Sequence, residues 1–94
     1  MATFRVAHVK EQGVDLIIVE VDQSFPLKTP AEQQDITFSL QSCATAAGLD
    51  GTVVPVWKDG PRLGLHAPPN WSAFFRSLTT KWFVAHANRE LICN

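Results

Sequence analysis

Ninety-four residues make one domain and are too few for two, since compact domains run to about 100 residues and each half of a split chain would lack a core. An apolar fraction of 46% with 18% charged residues excludes the disordered and coiled-coil classes, and apolar runs such as Leu16-Ile17-Ile18-Val19 are far short of the about 20 residues that cross a bilayer. A net charge of −1 hides an asymmetry: residues 1–50 carry three basic against seven acidic side chains, residues 51–94 five against two, and the second half also holds all three tryptophans.

Thr3 to Val9 sets Phe4, Val6 and His8 on one face and Arg5, Ala7 and Val9 on the other, the period of a strand. Gly13 marks a turn. Val14 to Val21 is rich in β-branched residues and is expected to be a central strand covered on both faces. After a polar connection from Asp22 to Lys28, Thr29-Pro30-Ala31-Glu32 carries the clearest local signal. Thr29 can accept from the first turn, Pro30 has no N–H to lose, and Glu32 can reach back to close a capping box. The helix that starts there stacks Ile36, Leu40, Cys43, Ala44 and Ala47 into one apolar stripe and stops at Gly48.

Thr52 to Trp57 reads as a strand in which Pro55, unable to donate to a ladder, points to an edge or a bulge. Lys58-Asp59-Gly60-Pro61 is a turn, and Arg62 to Ala67 returns as the partner strand. Pro68-Pro69 breaks it. Asn70 then caps a second helix with Trp71, Phe74, Phe75 and Leu78 on one face. Between Lys81 and Asn94 a strand period and a helix period compete, and a strand through Ala87 is expected. The whole chain, residues 1–94, is thus a single α+β domain of order ββαββαβ, a mixed, mostly antiparallel sheet with its two helices on one face. Without the first strand the order is βαββαβ, that of a ferredoxin-like unit, although a hairpin of the first two strands would occupy an edge that topology needs.

Two cysteines, Cys43 and Cys93, are too few and too far apart to read as a disulfide framework, and neither has metal-ligand spacing. A reduced, cytoplasmic setting is expected, with Cys43 a small buried hydrophobe and Cys93 mobile. Met1-Ala2-Thr3-Phe4-Arg5 carries no secretory pattern. His8, His66 and His86 fall on three expected strands without any metal motif, and a lone strand histidine is more often structural than a ligand. Glu20 and Asp22 share a face but end a strand, where carboxylates are commonly just solvated. The first helix could offer its N–H groups and Lys28 to a phosphate, yet its own caps use those donors and no glycine-rich loop is present. No catalytic residue, metal or cofactor is assigned, and no family resemblance is carried by these residues.

Phe38 stands out because it lies opposite the apolar stripe, among Gln34, Gln41, Ser42 and Thr45. An aromatic ring bordered by uncharged polar groups has the composition of a contact patch, so Phe38, Gln34, Gln41 and Thr45 are expected to meet a protein partner or a second copy. The basic second half supports an alternative, single-stranded nucleic acid stacked on Trp57 with phosphates on Arg62, Arg76 and Lys81. His66 and Trp71, flanking Pro68-Pro69, could wall a small pocket; a rigid strand-to-helix connection is the plainer reading. The leading expectation is a small binding protein acting as a homo-oligomer or an accessory subunit, with no membrane association. Nucleic-acid binding comes second, and a small enzyme completing a His66 or His86 site across a dimer third.

Overall fold

The computed structural model describes residues 2–11, 13–60, 62–65 and 79–93, with the side chains of 2, 11 and 62 left aside. Strand β1, Ala2–Glu11, turns at Gly13 into β2, Val14–Glu20. A single 3-10 turn, Phe25–Leu27, leads to helix α1, Pro30–Ala46, and the chain returns through β3, Thr52–Asp59, and β4, Arg62–Leu65. Helix α2, Thr80–His86, and strand β5, Arg89–Cys93, complete the described residues. The sheet order is β4-β3-β2-β1-β5, and only the β2–β3 pair is parallel. The α+β class, the element order and the mixed, mostly antiparallel sheet agree with the sequence expectation.

Leu16 to Val19 is buried on both faces at the sheet centre, as its unbroken apolar run requires. Strand alternation then builds two cores. Val6, Ile17, Val19, Val53 and Leu91 face Leu40 and Ala44 of α1, whereas Ala7, Leu16, Ile18, Val54, Val56 and Leu63 face Phe83 of α2. The two described helices therefore cover opposite faces of the sheet. The helix expected after Asn70 lies outside the described residues.

Three further readings are corrected. Trp82 to Ala87 is not a strand: Thr79 Oγ1 accepts from the Trp82 N–H and starts α2, and the strand begins only at Arg89. Pro55 is neither at an edge nor in a bulge, because β3 is internal and Pro55 pairs opposite Val19. The alternation that aims the Val56 carbonyl at the Val21 N–H turns the position-55 nitrogen away from β2, so the parallel pair loses no donor to the proline. Finally, β2-α1-β3 is a direct parallel unit with no strand between its two strands, so the split arrangement of a ferredoxin-like unit is absent.

Candidate functional site

The row Gln34, Phe38, Gln41, Thr45 follows from how α1 is seated. Thr29 Oγ1 accepts from the Glu32 N–H at 3.2 Å and Glu32 Oε1 accepts from the Thr29 N–H at 3.0 Å, which closes the capping box. Gln33 Nε2 donates to the Phe25 and Lys28 carbonyls and ties the helix start to the 3-10 turn. With Leu40 and Ala44 held in the core, helical spacing carries Phe38 to the outside, where it is 74% exposed between exposed Gln34 and Thr45. Gln41 is different. Its Oε1 accepts from the Val53 N–H at 2.9 Å and its Nε2 donates to the Gly51 carbonyl at 3.1 Å, so this side chain clamps the start of β3.

The residues considered for nucleic acid are not assembled as far as they are described. Trp57 is half-buried on the α1 face, 5.3 Å from the Phe25 ring, and lies across Gly64 of β4. Lys81 is exposed on α2, which covers the other face. The Arg62 side chain, Arg76, His66 and Trp71 lie outside the described residues. His8 and His86 are likewise directed apart: His8 Nε2 donates to the Asp50 carbonyl at 2.8 Å on the α1 side, whereas His86 Nδ1 donates to the Trp82 carbonyl and its ring stacks on Trp82 at 4.2 Å. No group of three or more His, Cys, Asp or Glu side chains with metal-binding geometry occurs among the described residues.

Glu20, Asp22 and Glu32 are engaged within the fold. Glu20 accepts three hydrogen bonds from the Arg5 guanidinium at 2.9–3.1 Å, an exposed pair worth at most about 1 kcal/mol. Arg5 also stands 5.9 Å above the Phe83 ring. The Ser24 N–H donates to Asp22 Oδ1 at 2.8 Å and holds that carboxyl below its ordinary range; the Thr29 N–H does the same for Glu32.

Two features escape single-sequence reading. Asn88 exchanges hydrogen bonds with both backbone groups of His8, accepting at 3.0 Å and donating at 3.2 Å, while its own N–H donates to the Val6 carbonyl. It stitches the α2–β5 connection to β1 as a side-chain copy of strand pairing. The second feature is a disulfide between Cys43 of α1 and Cys93 of β5, with Cα atoms 5.7 Å apart. It replaces the expected free thiols, and Cys93 is anchored in a paired strand. No helix among the described residues is long and apolar enough to cross a membrane. No family model, curated protein or solved structure matches this chain, so the reading of its surface rests on its own geometry.

Proposed function

We propose that the protein acts by association, as a homo-oligomer or an accessory subunit, through the outer face of α1. The observation that carries this reading is Phe38, a large ring 74% exposed in mid-helix, with the uncharged Gln34 and Ser42 one turn to either side and Asp35 the one charged neighbour within a turn. Gln41 contributes to the same face indirectly, by fixing α1 against β3. The rigid mounting of the helix at its capped start means that little ordering entropy opposes docking. An oxidising compartment suits the Cys43–Cys93 bond better than the cytoplasm expected from the cysteine count.

Phe38→Glu would place a charge at the centre of the contact and weaken association by about 2 kcal/mol, roughly thirtyfold in Kd. Sedimentation velocity across a concentration series measures it. A wild-type chain that stays monomeric throughout and a pull-down unchanged by Phe38→Glu would together remove this reading. Alkylation of the protein as it leaves the cell, followed by non-reducing electrophoresis, reads its thiol state; free Cys43 and Cys93 would place it back in a reducing compartment.

A further inference from the structure

Cys43 lies in the last turn of α1 and Cys93 closes β5, the outermost strand on its side of the sheet, so one bond ties elements fifty residues apart. Beside that bond is a shallow depression of about 420 Å³ lined by Ser42, Cys43, Ala46, Ala47 and Ile92. Ser42, Ala46 and Ala47 have small side chains and all three are exposed, and the half-buried Cys43 lines the depression between them. We propose that the Cys43–Cys93 disulfide is a thiol-exchange site, attacked at Cys43 Sγ by a low-molecular-weight thiol, and that its opening releases β5 from α1.

The attacking thiolate forms a new S–S bond to Cys43 Sγ. The Cys43–Cys93 bond breaks, its electron pair leaves on Cys93 Sγ, and that sulfur takes a proton from solvent. A second thiolate attacks the outer sulfur of the mixed disulfide, Cys43 departs as a thiolate and is protonated, and two thiols have become one disulfide while the cystine has become two cysteines. The direction of the first step follows from position. Carbonyls at the end of α1 disfavour an anion on Cys43, so the electron pair departs better on Cys93. Once open, β5 is held by its pairing to β1 and by the buried Leu91, and no strand among the described residues lies on its far side.

The oxidised full chain incubated with mixtures of reduced and oxidised glutathione, acid-quenched and mapped by mass spectrometry, tests this. The expected result is a single glutathione adduct on Cys43, formed at a rate that urea leaves unchanged below the unfolding transition. Ala46→Leu, which fills the depression from an exposed position, should slow the adduct several-fold with an unchanged circular dichroism spectrum. The proposal is overturned by no adduct, by an adduct on Cys93 alone, by opening that accelerates with urea in step with global unfolding, or by an Ala46→Leu chain that folds and reacts as fast as wild type.

Discussion

Trp57 and Gly64 stand opposite each other in β3 and β4, and the indole lies over the position where a Cβ at residue 64 would be. Gly64→Ala must therefore displace Trp57 from Phe25, and the expected cost is about 1–3 kcal/mol in urea unfolding followed by far-ultraviolet circular dichroism. Combining it with Trp57→Leu should recover part of the loss, because the two changes share one contact; strict additivity would show that the contact is not the cause. Gly51 is constrained by its backbone. Its φ of 130° disfavours any side chain, and a Cβ would fall 2.6 Å from the Asp15 carbonyl oxygen. Neither glycine's role was legible in the sequence, since both depend on a neighbour brought in by strand pairing or by the α1–β3 loop. Gln41 illustrates the same limit. Helical spacing sets it one turn beyond Phe38, but only the position of β3 reveals that its amide is spent on the Gly51 and Val53 backbone.

At the level of elements, α1 was readable because its signals are local. Thr29, Pro30 and Glu32 are consecutive enough to close a capping box without help from the rest of the chain. Thr29→Ala should cost about 1 kcal/mol of stability. This helix start, with the turn before it, also makes stability respond to acid. The carboxyls of Glu32 and Asp22 titrate below their ordinary range in the folded protein because backbone N–H groups donate to them. Their contribution is complete above the unfolded-state values and drains away as pH falls through the lower, folded values. Urea midpoints should fall on acidification across the carboxylate range, and Glu32→Gln should make that fall shallower; an unchanged slope would assign it to other groups. Helix α2 was misread for the converse reason. Trp82 to Ala87 satisfies a strand period, and its cap is half a box, with Thr79 accepting from the Trp82 N–H but no Glu or Gln at residue 82 to answer it. That lone threonine was the available signal. Pro55 misled because the rule for a central strand assumes that each position donates to its parallel partner, whereas the position-55 nitrogen faces away from β2.

For the molecule as a whole, two cores on opposite faces of one sheet are the outcome of alternation in β1, β2 and β3, each of which buries residues on both sides. That alternation was visible in the sequence; which face each helix covers was not, because it depends on crossings that no local pattern encodes. The disulfide was hidden by the same distance, fifty residues of chain folded between its ends. Closing a loop of that size restricts the unfolded chain by about 4 kcal/mol in the chain-entropy account, against about 5–15 kcal/mol of total stability for a domain of this kind. Replacing Cys43 and Cys93 together by serine should therefore lower the unfolding free energy by about 2–4 kcal/mol and steepen its dependence on urea, because the opened unfolded chain exposes more surface. An unchanged midpoint would mean that strand pairing and Leu91 hold β5 without the bond.

The pairing of Ala2 with Cys93 places the first and last strands side by side, so tension applied at these two residues peels β5 from β1 one rung at a time. With the cystine closed, that load passes from Cys93 directly into Cys43, and residues 43–93 become a covalent loop shielded from stretching. The extensible length between the handles is then set by residues 2–43, about 140 Å, and opening the bond raises it to about 310 Å. A single redox event thus decides how much of this small protein yields under force.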